Sequence, residues 1–327
     1  MAMNQAVRTL RRIGGRFART VVSRMLGRRM HPSWSVAQET LVRAMRSDSG
    51  QGSEDPVRAR RAAEQLALPS LLRRKVDIEK RTEGGVPGRW FAPKEPAGPL
   101  PVLLWFHGGG YVIGSSRTHA DLAIRLALAG HCRVFVPDYR RGPEDPYPAA
   151  VEDADAVYEA LLGQVDADRI VVGGDSAGGA LALVVCAHAR EADRDMPAGA
   201  VLLSPWVDLT ATGGSLIHNE KYDWITLRGI EVWGEAYLAG ADPSNPDISP
   251  IYANLRELPP LFVEAGECEL FIDQVREFVG KLRDQRVAHE YHEWDCMVHD
   301  GYFLAPFLKQ SRDRFEGIGR FVKQRVG

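Results

Sequence analysis

The sequence predicts an α/β protein with a mostly parallel eight-stranded sheet flanked by helices, and three observations carry that reading. From residue 101 onward, short apolar runs alternate with longer helix-periodic stretches, the order expected when helices cross between parallel strands. The run 101–106 is apolar throughout, as a strand covered on both faces must be. Gly174-Asp175-Ser176-Ala177-Gly178 stands between an apolar run and a helical one. A strand that turns sharply into a helix at such a pentad leaves its serine hydroxyl exposed.

The elements follow in order. Residues 1–29 carry eight arginines and no acidic residue, with Val7, Leu10, Ile13, Phe17, Val21 and Leu26 near helical spacing. That pattern is a basic amphipathic helix, which either packs on the rest of the chain or lies on an anionic membrane surface. Two polar helices are expected at 34–45 and 56–72, separated by a flexible Ser/Gly/Asp-rich loop. A hairpin pairs 75–81 with 88–92 across a glycine turn. Strands then follow at 101–106, 133–137, 169–173, 199–204, 260–265 and 289–294. Helices are expected at 117–129, 148–162, 177–190, 226–238, 270–285 and 304–324. The stretch 205–255 is long and irregular apart from its one helix.

Bulk composition excludes several classes of function. With 327 residues, 45% apolar, 26% charged and a net charge of −2, the chain is an ordinary globular protein without a field favouring nucleic acid. Cys132, Cys186, Cys268 and Cys296 form no C-x-x-C pair, which argues against a zinc site or a disulfide framework. Cys132 and Cys186 lie in apolar segments and are expected to be buried thiols. No apolar stretch approaches the ~20 residues of a membrane span. The expectation is a cytoplasmic protein, at most peripheral to a membrane.

The chemistry begins with Ser176, which needs a base, an acid and an oxyanion hole. His107-Gly108-Gly109-Gly110 directly follows the strand ending at 106, and a three-glycine loop lets bare backbone N–H groups approach an oxyanion. A phosphate cradle would instead need G-x-G-x-x-G or G-x-x-x-x-G-K-[ST], and neither is present there. In this arrangement the acid follows the serine and the histidine comes last. His299 occupies the loop 295–301 after the last strand, whereas His289 and His292 lie within that strand. His107 is expected to order its own loop, and His31, His119, His131, His188 and His218 have no supporting context. Beyond the strand at 261–265, Glu267, Glu269 and Asp273 offer carboxylates. Position within the loop favours Glu269, while Asp273 suits the first turn of the next helix.

These residues stand among others: Tyr111 after the glycines, Asp138-Tyr139-Arg140, Pro143-Glu144, Tyr147-Pro148-Ala149-Ala150, Gly179 after the pentad, Ser204-Pro205-Trp206 and Ser249-Pro250. Together, from about residue 75 to the C-terminus, they resemble the hormone-sensitive-lipase family of α/β-hydrolases, bacterial esterases included. The resemblance implies an α/β-hydrolase domain at 75–204 and 256–327. It also implies a helical cap built from 1–74 and the insertion 205–255. It makes Ser176 the nucleophile, His299 the base and Gly109, Gly110 and Ala177 the oxyanion donors. Glu269-Leu270 stands where the family most often has Asp-Pro-Leu, so Glu269 leads Asp273 as the acid. Tyr111 and Trp206 are candidates to line the pocket, and Arg140 is expected to pair with a carboxylate. The implied function is a serine carboxylesterase for short- to medium-chain acyl esters, with no metal and no cofactor. Lactone or arylacetamide-type amide hydrolysis would use the same residues. A non-catalytic small-molecule receptor on this fold is disfavoured because His299 is retained. The expected partners are a small ester, no nucleic acid and a weak membrane contact through the basic helix, with a homodimer left open.

Overall fold

The computed structural model describes residues 2–48, 55–66, 70–94, 96 and 98–327. Three helices come first: α1 (Ala2–Met25), α2 (Val36–Asp48) and α3 (Pro56–Leu66). The hairpin β1 (Val76–Glu83) and β2 (Val86–Pro93) follows. Strands and helices then alternate as β3 (Val102–Phe106), α4 (Ala120–Gly130), β4 (Arg133–Pro137), α5 (Ala149–Leu162), β5 (Ile170–Asp175), α6 (Ala177–Glu191) and β6 (Gly199–Leu203). Two helices interrupt the alternation, α7 (Ser215–His218) and α8 (Leu227–Leu238). The chain ends with β7 (Leu261–Gly266), α9 (Ile272–Asp284), β8 (His289–Trp294), α10 (Lys309–Asp313) and α11 (Phe315–Val326).

All eight strands join one sheet in the order β1-β2-β4-β3-β5-β6-β7-β8. The hairpin pairs antiparallel with itself and with β4, and every other pairing is parallel. A parallel neighbour requires a crossover, and the helices that supply it cover both faces. Alternation along β3 shows the two layers: Leu104 and Phe106 pack with α5, α6 and α9, while Leu103 and Trp105 pack with α4 and α11. Each of β3, β5, β6 and β7 is buried along its whole length. The carboxyl ends of β3, β5, β7 and β8 therefore emerge on one edge of the sheet and carry residues 107–110, Ser176, Glu269 and His299.

Two expected helices differ. The single helix at 304–324 is instead a 3₁₀ turn at Gly301–Leu304 followed by α10 and α11. Pro306 cannot donate within a helix, and Leu308 is extended at φ −110°, ψ 130°. Of the helix expected at 56–72, Pro56–Leu66 is helical, 67–69 lie outside the described residues, 70–72 are not helical, and a 3₁₀ turn occupies Arg73–Lys75. Most of the expected loop between α2 and α3 lies outside the described residues. On α1, Arg24 Nη1 donates to Trp34 O (2.8 Å) and lies 3.3 Å from Glu39 Oε2, while Arg16 donates to Ala44 O. These arginines tie α1 to α2, and Phe17, Val22, Met25 and Leu26 face outward. Among the described residues no helix is long and apolar enough to cross a membrane. Cys132 and Cys186 are buried thiols, and Arg140 pairs with Glu152 and Asp153.

A histidine without sequence context joins α5, α6 and the stretch after α8. His188 Nδ1 lies 2.6 Å from Asp155 Oδ2 and its Nε2 2.9 Å from Asp247 Oδ1. The hydrogen bond with Asp155, followed by that with Asp247, outweighs burial and raises the imidazole from the ordinary 6.5 to about 9. A raised folded-state value stabilises fully below 6.5, and that contribution fades as pH climbs through about 9. The Tm advantage of the wild type over His188→Gln is therefore expected to be largest below 6.5 and to shrink towards and beyond about 9 in thermal melts. An advantage that stays constant across that window would refute the pairing.

Candidate active site

Ser176 is the single residue between β5 and α6, at φ 53° and ψ −122°. A non-glycine residue in this sparsely populated region costs about 1–3 kcal/mol and persists only where its surroundings impose it. The surroundings here are explicit. Ser176 N donates to Leu203 O (2.9 Å), and Ser176 O accepts from Gly179 N and Trp206 N, both at 3.0 Å. A Cβ on Gly178 would collide with the carbonyl oxygen of Phe106, so only glycine lets α6 start this close to β3.

The glycine loop lies against the serine: a Cβ on Gly108 would stand 3.1 Å from Ser176 Cβ. Gly109 adopts φ 116° and Gly110 φ 59°, which turns their backbones back along the loop. Gly108 N is occupied, donating to Asp175 Oδ2 at 2.9 Å. The N–H groups of Gly109, Gly110 and Ala177 donate to no other group among the described residues. Two buried aromatic residues brace the loop. Tyr139 donates to His107 O (2.6 Å), and its ring stacks on the His107 imidazole at 4.2 Å. Burial, then the nearby His119 and Arg141, pushes His107 well below its ordinary value and keeps it neutral. Its Nδ1 faces Gly108 O at 2.9 Å, and a carbonyl only accepts, so the proton sits on Nδ1.

Asp175, the second residue of the pentad, holds this half together. Its Oδ1 accepts from Trp105 Nε1 (2.8 Å), and its Oδ2 accepts from Gly108 N and lies 3.0 Å from His119 Nε2. His119 was without context in the sequence because its partner is 56 residues away. Here it is a buried member of the loop's support.

On the other half, Glu269 and His299 are both buried, on the loops after β7 and β8. Glu269 Oε2 accepts from Ser204 Oγ (2.6 Å) and Gly266 N (3.1 Å) and stands 3.7 Å from His299 Nδ1. That separation is an ion-pair distance longer than a hydrogen bond, as is common for catalytic contacts in unliganded sites. Asp273 lies in the first turn of α9, accepts from Ser215 N (2.8 Å) and has a side chain 42% exposed beside Arg276. The structure thus brings Glu269 to His299 and engages Asp273 elsewhere.

Two further carboxyl groups surround the imidazole. Asp300 Oδ2 lies 3.3 Å from His299 Nε2, and Asp223 Oδ1 accepts from His299 N at 3.1 Å. Burial holds Asp300 well above the carboxylate range and raises Asp223 to about 7. Burial alone would depress His299, but Asp300, Glu269 and Asp223 together outweigh it and raise the imidazole to about 9. Asp300 was within reach of the sequence, since it neighbours the candidate base; Asp223 belongs to no motif.

Tyr111 and Trp206 are buried in an aromatic row. Tyr111 stacks on Tyr237 at 3.8 Å, Trp206 stacks on Phe271 at 5.4 Å, and Phe271 meets the His299 ring edge-on at 5.1 Å. The row runs from the glycine loop to the imidazole.

Residues 103–303 match the alpha/beta hydrolase fold family. Among curated proteins, an acetyl-hydrolase of Streptomyces hygroscopicus is 35% identical over 75% of this chain and 82% of its own length. The carboxylesterase NlhH of Mycobacterium tuberculosis is 31% identical over 75% and 81%. Among solved structures, an esterase from the bacterial hormone-sensitive lipase family superposes with a TM-score of 0.85 at 34% identity, over 90% of this chain and all of that one. EstE5, in a crystal soaked with p-nitrophenyl butyrate, superposes with a TM-score of 0.82 at 31% identity, over 88% and 97%. With the sheet order, the pentad elbow and the glycine loop already in place, these likenesses show that the chain belongs to the hormone-sensitive-lipase family of α/β-hydrolases.

Proposed function

We propose that the chain is a serine carboxylesterase that hydrolyses short- to medium-chain acyl esters through an acyl-enzyme. The reaction class follows from the family: the relatives named above are an acetyl-hydrolase, a carboxylesterase and an esterase. The observation that carries the mechanism is Ser176 in its strained elbow beside unoccupied N–H groups of Gly109, Gly110 and Ala177. Ser176 Oγ attacks the ester carbonyl and gives its proton to His299. The three N–H groups receive the negative charge that develops on the carbonyl oxygen. Glu269 orients the imidazole and balances the imidazolium, which then protonates the departing alcohol. Water enters by the same route and releases the acid. No step requires a metal or cofactor. In this reading 75–204 and 256–327 form the catalytic domain. The segments 1–74 and 205–255 form a cap that limits the acyl chain, and the aromatic row with Tyr111 and Trp206 lines the pocket. The acetyl and butyryl groups named for two similar proteins support the short end of the range.

Replacing Ser176 by Ala is expected to reduce turnover of p-nitrophenyl butyrate by roughly 10⁴-fold or more while the circular dichroism spectrum is unchanged. Undiminished turnover would refute the mechanism.

For the acid, Glu269→Gln is expected to lower kcat by about 10³–10⁴-fold and Asp273→Asn by less than about threefold. The opposite order would move the role to Asp273.

The pH profile has a definite sign. His299 must be neutral to accept the serine proton, and its raised value keeps it protonated to higher pH than an ordinary histidine. The acid limb of kcat/KM should therefore lie above 6.5. Asp300 is foremost among the groups that raise the imidazole, so Asp300→Asn should move that limb to lower pH. A limb that stays in place in the variant would show that Asp300 does not raise the imidazole.

A further inference from the structure

The acid and base loops lie beyond the last paired residues of β7 and β8, Gly266 and Trp294, and are joined there by Cys268 N to Met297 O (2.8 Å) and by Ser204 Oγ between Glu269 Oε2 and Asp300 N. A short stretch between α7 and α8 adds a further hold on both. Asp223, fully buried, accepts from Leu270 N (2.8 Å) through Oδ2, next to Glu269. Through Oδ1 it accepts from His299 N (3.1 Å) and Trp224 N (2.7 Å). Trp224 Nε1 donates to His299 O at 2.6 Å, so both backbone polar groups of His299 end on this stretch. Asn219 Nδ2 donates to the carbonyls of Glu267 (3.1 Å) and Glu269 (3.0 Å).

We infer that Asn219, Asp223 and Trp224 form a clasp that sets the Glu269–His299 separation, with Asp223 as its central positioning residue. The inference rests on the assignment of His299 and Glu269 as base and acid. A single carboxylate that accepts one N–H from each loop fixes their distance as a rigid spacer would. Removing it leaves the N–H groups of Leu270, His299 and Trp224 without this acceptor and loosens the link between the two loops on that side. A displacement of about 1 Å at a catalytic group is enough to cost about 10²-fold in rate.

The clasp is itself anchored from the N-terminal helices. Arg46 on α2 donates through Nη1 to the carbonyls of Glu220 and Asp223, the latter at 2.9 Å. Tyr222 packs edge-on against His31 (5.1 Å) and Trp34 (6.3 Å). Trp34 Nε1 in turn donates to Cys296 O (2.6 Å) on the base loop. The N-terminal segment thus reaches the catalytic loops through two routes, and its docking supports the reacting geometry as well as covering the site.

The test is a set of variants assayed on p-nitrophenyl butyrate with active-site titration. Asp223→Asn keeps the acceptor for His299 N and loses the one for Leu270 N, while Asp223→Ala loses both. We expect kcat to fall about tenfold in the first and about 10²-fold in the second, with KM within about twofold and full titratable serine. Arg46→Met should lower kcat by about threefold to tenfold. In the Glu269→Gln background, Asp223→Ala should cost little more, because the geometry it protects has lost its purpose. Should Asp223→Ala fail to fold, Trp224→Phe removes only the bond to His299 O and should lower kcat by about tenfold with KM unchanged. Full activity in these variants beside a crippled Glu269→Gln overturns the clasp. Losses that multiply undiminished in the Glu269→Gln background overturn it too. A Glu269→Gln enzyme as active as wild type overturns the acid assignment on which the clasp rests, and the single variant shows this separately.

Discussion

The buried carboxylate of Asp175 is the interaction on which the Ser176 half of the site depends. Its two oxygens take Trp105 Nε1 from β3, Gly108 N from the glycine loop and His119 Nε2 from the approach to α4. A carboxylate taken out of water needs its donors, and leaving one unpaired costs about 1–3 kcal/mol or more. That cost locks the glycine loop to the residue before Ser176. It also engages the N–H of Gly108, whereas those of Gly109 and Gly110 donate to no other group among the described residues.

Around His299 the constraint is electrostatic. Three buried carboxyl groups, Glu269, Asp300 and Asp223, crowd around His299. They cannot all ionise, and burial lifts Asp300 and Asp223 above the carboxylate range. The two groups are lifted while they make different contacts. Asp223 meets backbone N–H groups of both loops, whereas Asp300 lies beside the Nε2 of the imidazole.

Much of this was legible in the sequence, and the boundary of legibility is physical. Strands buried on both faces read as apolar runs, so β3 to β7 emerge within a few residues of expectation. The elbow and the glycine loop are local motifs, which compress a geometry into five or four consecutive residues. His119 and Asp223 carry no local pattern because their meaning lies in partners 56 and 76 residues away. The helix expected at 304–324 failed for a different reason: its apolar periodicity continues across Pro306, where the backbone cannot. Between Glu269 and Asp273 the sequence offered two carboxylates four residues apart, and only burial and the 3.7 Å approach to His299 distinguish them.

Seen from the sheet, the two halves of the site have the same solution to one problem. Parallel strands hold each other up to their last paired residue, and Ser176, Glu269 and His299 lie just beyond, where single bonds such as Ser176 N to Leu203 O replace the regular ladder. Asp175 joins the ends of β3 and β5; Asp223 joins the loops after β7 and β8. Ser204, at the end of β6 between them, donates to Glu269 Oε2 and accepts from Asp300 N. Asp175 is part of the elbow, so its bonds to Trp105 and Gly108 lie within the β3–β5 pair. Asp223 comes from outside the sheet, and its own carbonyl is held by Arg46 on α2. The strained serine is therefore fixed at the sheet, while Glu269 and His299 are fixed by the sheet and by the stretch between α7 and α8 together.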